Sequence, residues 1–220
     1  MRAHRFARLL SAVATLTLAA CGTSDSALGD QPTLTGQIEG WDRGAGFTLR
    51  ASVLKTVSPP MTTVIASAPI DAAGNFSITL PGSAVVGPLL TTQHSDPSQL
   101  PPGCTGDLQV NPQDFAGTSA LFDAVSGTTT LSVSLSNLGT APAGGVQISA
   151  GFAYADREVS ETGTLTCSFS GFTQQSTADA HLKAGWNREV LQLTMNAAAK
   201  MATSSVSTGP LPDGVKWRFK

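Results

Sequence analysis

Charged residues are scarce in this chain of 220 residues. Asp, Glu, Lys and Arg make up 13% of it, and the formal net charge at pH 7 is −2. A mildly acidic surface argues against nucleic acid and anionic lipid as partners held by electrostatic attraction. Long apolar runs are also missing. The apolar stretch Leu9–Ala20 spans about 12 residues, fewer than the ~20 that a membrane-spanning helix needs.

Residues that could carry chemistry are few. The tripeptide His94-Ser95-Asp96 has the residue types of a hydrolase triad, but neighbours in sequence cannot converge as nucleophile, base and orienting group. The chain has no Gly-x-Ser-x-Gly motif. His181 lies in a predicted strand, which favours a structural histidine. A metal site formed by His94 and His181 with Asp96 or Asp179 is not supported by any sequence spacing typical of metal ligands. We predict no catalytic residue, metal or cofactor.

The acidic residues are scattered as well. Asp156 with Glu158, or Glu158 with Glu161, comes nearest to the carboxylate pair of a glycosidase. Those carboxylates flank one bond about 5–9 Å apart, and neighbours in a loop rarely do so. The turn at 71–75 has too few oxygen ligands for a calcium loop. A hydrolase whose site the sequence hides stays open as an alternative.

The first twenty residues have the three parts of a signal peptide. Arg2, Arg5 and Arg8 form a positive n-region, Leu9–Ala20 is the apolar region, and the two alanines that end it precede Cys21. This Leu-Ala-Ala-Cys arrangement resembles the lipobox of bacterial lipoproteins. The resemblance implies cleavage before Cys21, a diacylglycerol on its thiol and an acyl chain on its freed amine. The alternative is an ordinary secretory signal with a chance cysteine.

Lipidation would hold the mature chain on a membrane surface without crossing it. Each buried methylene contributes ~0.8 kcal/mol, so several acyl chains together bind firmly. Gly22 follows the cysteine where enterobacterial lipoproteins of the inner membrane usually carry Asp, and the resemblance therefore favours the outer membrane of the cell envelope. Cleavage removes three of the 13 basic residues and none of the 15 acidic ones, which moves the net charge from −2 to −5.

Once Cys21 is set aside as the lipidated residue, two cysteines remain in the exported chain, Cys104 and Cys167. A single pair in an oxidising compartment predicts one disulfide, since a thiol metal site would need further Cys or His at short spacing. Closing a loop of about 63 residues would stabilise the fold by ~4 kcal/mol in the chain-entropy model. Leu165 and Phe169 alternate with polar neighbours in step with Cys167, so we expect that face, with the disulfide, to be buried.

Strand patterns fill the rest of the chain. Apolar and polar residues alternate at many places, as at 34–38 and 131–136, and Gly or Pro ends most of these runs. This pattern predicts an all-β fold with one or two small β-sandwich modules. We expect a lipidated flexible tether at 21–32, a first module with a trailing linker at 33–100, and a second module at 101–220. Whether the two modules pack as one unit is left open.

Two resemblances cover parts of this β body. Leu34–Ile38 and Asp71–Ile78 resemble strands of carboxypeptidase-regulatory-like and transthyretin-like modules, which implies a non-catalytic adhesive or spacer role. Tyr154–Val159, Thr162–Thr164 and Leu182–Asn187 resemble a domain of uncharacterised bacterial surface lipoproteins, including deinococcal ones, that share a late Leu-Lys-x-Gly-Trp-Asn turn. This second resemblance covers roughly 104–220 and implies no activity.

The three tryptophans are the remaining candidates for binding. Trp217 alternates in step with Val215 and Phe219, which favours packing in the core. Trp41 and Trp186 lie at strand or turn edges, where an exposed indole could stack on a sugar ring. Packing in the core or at its rim is the alternative for both residues.

Together these features predict an envelope lipoprotein that is a non-catalytic binding or structural module and not an enzyme. Its expected partners are the membrane, through the lipid on Cys21, and an envelope polysaccharide or envelope protein. A carbohydrate- or peptidoglycan-binding module that uses Trp41 or Trp186 is one alternative. A hydrolase with a cryptic site is the other.

Overall fold

A computed structural model describes residues 26–57, 60–94, 100, 102–138, 145–169 and 171–220. The predicted signal peptide at 1–20 and the lipidation site Cys21 lie outside these residues. The described residues form sixteen strands, a one-turn helix (α1, Ser83–Val86) and a 3-10 turn at Gly87–Leu89. The predicted all-β fold is confirmed.

The strands are β1 (Ala27–Gly29), β2 (Thr33–Gln37), β3 (Phe47–Val57), β4 (Pro60–Ile70), β5 (Asn75–Thr79), β6 (Thr91–His94), β7 (Cys104–Gly106), β8 (Gln109–Asn111), β9 (Asp114–Ser126), β10 (Thr129–Ser136), β11 (Val146–Ala155), β12 (Val159–Phe169), β13 (Phe172–Leu182), β14 (Gly185–Asn196), β15 (Met201–Thr208) and β16 (Lys216–Phe219).

Fourteen of these strands belong to one mixed sheet, and β2 pairs with β5 in a second sheet. The large sheet has the order β4-β3-β9-β10-β11-β14-β15-β13-β12-β7. The strands β1, β6, β8 and β16 pair with β14, β9, β12 and β10 respectively. Most neighbours are antiparallel, while β13 and β15 run parallel. The sequence pattern predicts most of these strands but misses β1, β6, β7 and β15.

The main hydrophobic core lies between the small sheet and the first part of the large one. Leu34 and Ile78 contribute from the small sheet, and Leu49, Phe122 and Trp217 contribute from β3, β9 and β16. The strand β9 pairs with β3 on one side and with β10 on the other. Strand pairing and core packing therefore cross the predicted module boundary at residue 100, which answers the question that the sequence left open.

Trp217 is the centre of this core. Its ring meets Phe76 and Phe122 edge-on at centroid distances of 5.1 and 5.2 Å, and it is stacked on Phe152 at 6.0 Å. The backbone of Gly36 lies against the same indole, and a Cβ there would be 2.5 Å from Trp217 Cδ1. Only glycine allows this close approach, which explains the glycine in the first predicted strand. The prediction that Trp217 packs in the core is confirmed.

The segment 26–32 is fixed to the body. Its strand β1 pairs with β14, and the Arg188 amide donates to the Ser26 carbonyl at 2.9 Å. The Leu80 amide donates to the Pro32 carbonyl, also at 2.9 Å. The prediction of a flexible tether is therefore wrong for 26–32, because strand pairing satisfies its backbone groups. The tether residues 21–25 lie outside the described residues.

Asp30 joins this segment to the core. Its carboxylate accepts hydrogen bonds from the Ser83 amide at 2.8 Å and from the Tyr154 hydroxyl at 3.0 Å. Burial raises the pKa of Tyr154, and the neighbouring Asp30 carboxylate raises it further. The phenol therefore stays protonated and remains a donor to Asp30 at neutral and moderately alkaline pH.

The Leu-Lys-Ala-Gly-Trp-Asn turn places the start of β14. The buried Asn187 side chain accepts from the Lys183 amide at 2.8 Å and donates to the carbonyls of Lys183 and Gly185 at 2.7 and 2.9 Å. Gly185 has a φ of 97°, and a Cβ there would lie 2.9 Å from the Gly29 carbonyl oxygen. Both residues are thus required by the fold of the turn.

The Cys104–Cys167 disulfide is confirmed. It joins directly paired residues of β7 and β12, which are neighbours at the edge of the large sheet. Cys167 is buried as expected, but its partner Cys104 is half-buried, and Phe169 on the same face as Cys167 is 49% exposed. The expectation of a fully buried face is therefore wrong at the end of β12. The disulfide joins two cysteines that are 63 positions apart in the sequence.

We predict that Asn187→Ala lowers the free energy of unfolding by about 3 kcal/mol, because it removes three hydrogen bonds and leaves buried backbone groups unsatisfied. The matched control is Asn196→Ala, which removes one hydrogen bond to the Ala199 amide at an exposed turn and should cost less than about 1 kcal/mol. Urea unfolding of the three proteins measures the difference. Equal losses for the two variants would contradict the assigned role of Asn187.

Candidate functional site

Trp186 is not available to a ligand. Its side chain is 0% exposed, its Nε1 donates to the Pro81 carbonyl at 2.9 Å, and its ring packs edge-on against Tyr154 at 5.3 Å. The prediction of a ligand-stacking role for Trp186 is therefore wrong. The turn that carries it folds inward, because the indole fills the space between β11, β14 and the 26–32 segment.

Trp41 is half-buried. Its ring meets Phe47 and Phe219 edge-on at 5.2 and 5.4 Å, and its Nε1 donates to the Gly44 carbonyl at 2.9 Å. These contacts hold the indole at the rim of the main core, beside a shallow surface depression. A stacking role for Trp41 stays a prediction.

His94 and His181 lie on different strands, and each has an acidic neighbour. His94 Nδ1 of β6 is 2.6 Å from Asp114 Oδ1, and His181 Nε2 of β13 is 3.2 Å from Asp179 Oδ1. Both pairs are exposed to solvent. Among the residues that the structure describes, no group of three or more His, Cys, Asp or Glu could hold a metal ion. Asp96 lies outside those residues.

The acidic residues of the 156–158 turn form surface ion pairs. Asp156 pairs with Arg157, and Glu158 pairs with Lys183. Hydrogen bonds from these cations hold the pKa of both carboxyls below their ordinary values. Such carboxylates stay ionised and cannot serve as general acids near neutral pH. The third residue considered with them, Glu161, has a different environment.

Glu161 faces a cavity of about 550 Å³ that the sequence does not reveal. We call it the inner cavity. It lies where the large sheet curls, so that β12 and β13 come opposite β9 and β11. Apolar side chains from five strands line most of it: Leu54, Val110, Phe115, Leu121, Val159 and Leu182. The cavity is open to solvent on the side where Leu121 is 48% exposed.

Glu161 and Glu189 are the two acidic residues in this lining. Burial raises the pKa of both carboxyls, and the charge of Glu161 raises the pKa of Glu189 further. Within the described part of the chain, neither carboxylate has a hydrogen bond or an ion pair. Two poorly solvated carboxyls in an apolar cavity cost stability when they ionise, which marks the position as a candidate binding site.

The sequence contains a weak signal for these two residues. Glu161 alternates in step with Leu165 and Cys167, and Glu189 alternates in step with Leu191 and Leu193. Each glutamate therefore occupies a position on the apolar face of its strand. Alternation alone could not show that both faces line one cavity, because β12 and β14 are separated in the sheet by β13 and β15.

Comparison with protein-family models, with curated proteins and with solved structures found no match to this chain. Its resemblance to bacterial lipoproteins and to transthyretin-like modules therefore stays a prediction from the motifs. Among the described residues, no helix has the length and apolar character needed to cross a membrane.

We predict that Glu189→Gln stabilises the protein at pH 8 and leaves its stability unchanged near pH 4. Folding raises the pKa of Glu189, so the favourable contribution of its protonated carboxyl to the free energy of unfolding is fully present at low pH. It is lost as the pH rises through the folded-state value. Thermal unfolding of both proteins between pH 4 and pH 8 measures the effect.

Glu158→Gln is the matched control for this measurement. Lys183 lowers the pKa of Glu158, so this substitution should bring no gain in stability at pH 8. A melting temperature of Glu189→Gln that is the same as, or lower than, that of the unaltered protein at pH 8 would contradict the assignment of Glu189 to a desolvated site.

Proposed function

We propose that this chain is a lipid-anchored envelope protein, held at the outer membrane through Cys21, whose β body is a non-catalytic binding module. The ligand site is the inner cavity. The observation that carries the proposal is the convergence of apolar side chains from separate strands on a space of about 550 Å³ that is open to solvent. Ligand sites are typically concave, mostly apolar, and of ~300–1,000 Å³ with a few polar groups.

The lining favours a ligand with an apolar body over a sugar. Carbohydrate sites present many hydrogen-bonding side chains together with exposed aromatic rings. Here apolar atoms form most of the lining surface, although Thr91, Gln93, Thr118 and Ser119 also line it, and the indole of Trp186 is buried elsewhere. These features support a binding module for an apolar ligand rather than the carbohydrate-binding alternative.

The position of β1 bears on the proposed anchor. The segment 26–32 is fixed to the β body. A lipid on Cys21 would therefore be joined to the folded part of the chain by the five residue-to-residue intervals from Cys21 to Ser26. Five residues span at most about 18 Å, compared with roughly 35 Å for a tether that extends to Pro32. The proposed anchor would therefore hold the β body close to the membrane surface.

The anchor is tested by Cys21→Ser in the producing cell. The substitution removes the acceptor thiol, so we expect the protein to move from the membrane fraction to the soluble fraction after cell breakage. Mass spectrometry of the unaltered protein should find acyl chains on the peptide that begins at Cys21. Recovery of an unmodified Cys21, or no change in fractionation, would overturn this part of the proposal.

The binding site is tested with 1-N-phenylnaphthylamine, a neutral probe that fluoresces in apolar surroundings. We expect it to bind the soluble Cys21→Ser form of the mature chain. Adding Leu121→Ser should weaken binding about fivefold, because part of a leucine side chain no longer contacts the probe. Met195→Ser is the matched control, since Met195 is 51% exposed and lies outside the cavity lining. No binding, or equal binding by all three proteins, would overturn the assigned site.

A further inference from the structure

The inner cavity has an unbalanced charge. Among the described residues that line it, the ionisable groups besides the Tyr154 phenol are Glu161, Glu189 and His94, and His94 is already paired with Asp114. The nearest cation in sequence, Arg188, does not line the cavity. Among the described residues, Arg188 forms no salt bridge with either glutamate, and its Nε is buried without a hydrogen-bond partner. Apolar walls and uncompensated carboxylates therefore meet in one space.

The two carboxylates lie along one row of the sheet. Glu161 on β12 is paired with Ala180 on β13, and Glu189 on β14 is paired with Thr208 on β15. The His181 amide donates to Thr208 Oγ1 at 3.0 Å, which places the end of β15 beside β13 near residue 180. Ala180 and Thr208 therefore lie between the two glutamates in this row, and both glutamates line the one cavity, where a bound ligand can meet their carboxylates.

Ligand binding would exclude water from these carboxylates. A neutral apolar ligand leaves their charges without a partner, and an anionic ligand adds repulsion between like charges. An ammonium group instead supplies a positive charge and three hydrogen-bond donors, and an apolar chain attached to it can cover the leucine and valine side chains. Burial raises the pKa of both glutamates, and the charge of Glu161 raises the pKa of Glu189 further, so ionising them in this cavity is unfavourable unless a cation accompanies them.

We propose that the inner cavity binds amphiphiles that carry a primary ammonium group on an apolar chain, with Glu161 and Glu189 receiving the ammonium. This inference rests on the proposed function of the cavity as a site for apolar ligands. Charge complementarity selects the head group, and the apolar lining of β9, β12 and β13 receives the chain.

The experiment compares three ligands that share one chain length. Decylammonium, decan-1-ol and decyl sulfate compete with 1-N-phenylnaphthylamine for the Cys21→Ser form of the mature chain at pH 8, below their aggregation concentrations. We expect decylammonium to displace the probe at a concentration at least about tenfold lower than decan-1-ol, which corresponds to one charge-assisted contact. Decyl sulfate should be the weakest competitor.

Three substitutions assign the preference to the cavity. Glu161→Gln and Glu189→Gln should each reduce the advantage of decylammonium over decan-1-ol by at least about threefold. Far-ultraviolet circular dichroism of both variants checks that they are folded, and comparing the two competitors within the same variant removes any change in affinity for the probe. Glu158→Gln should keep the full advantage, because Glu158 is paired with Lys183 outside the cavity. A loss caused equally by Glu158→Gln would assign the preference to the general acidity of the surface and overturn the proposal.

The outcomes separate this inference from the proposed function. If the probe binds and decan-1-ol competes as well as decylammonium, the ammonium proposal is overturned and the apolar site stands. If both Gln variants keep the preference for decylammonium, the assignment to Glu161 and Glu189 is overturned. Failure of the neutral probe to bind the unsubstituted site would overturn the proposed function itself.

Discussion

Trp186 is buried where three distant parts of the chain meet. Its Nε1 donates to the carbonyl of Pro81, its ring packs on Tyr154, and its backbone lies beside Gly29. The Asn187 side chain next to it closes the preceding turn with three hydrogen bonds. These contacts fix the start of β14, and the order of β11, β14 and β15 depends on that position. A buried indole with its N–H satisfied can hold such a junction, since it combines large apolar area with one directional bond.

The curvature of the large sheet also produces the inner cavity. Beyond β14 the sheet continues through β15, β13 and β12, and its curl brings β12 back towards β9. Small residues such as Ala180 occupy the middle of the apolar face, so the opposing walls leave a space between them. Water can enter that space, which allows Glu161 and Glu189 to stand on an otherwise apolar face. The proposed ligand would replace this water and supply the missing countercharge.

Local patterns predicted much of the architecture. Alternation of apolar and polar residues located β2, β3, β4, β5, β10, β11 and β12 well, because each has one face against a core and one in solvent. It missed β15, where serine and threonine dominate the sequence from Met201 to Thr208. It also missed β1, because three residues are too few for a period. The disulfide was predictable once Cys21 was assigned to lipidation, since the two remaining cysteines allow only one pairing.

By itself the sequence determined the strand-forming pattern, the single disulfide and the glycine and asparagine positions that its turns require. Those properties depend on one residue and its near neighbours in the chain. The tertiary structure alone decided that Trp186 is a core residue, that residues on both sides of position 100 share one core, and that Glu161 and Glu189 line one cavity. Each of these depends on the order and curvature of the sheet, which bring together strands that are far apart in sequence. The local alternation of apolar and polar residues does not determine that order.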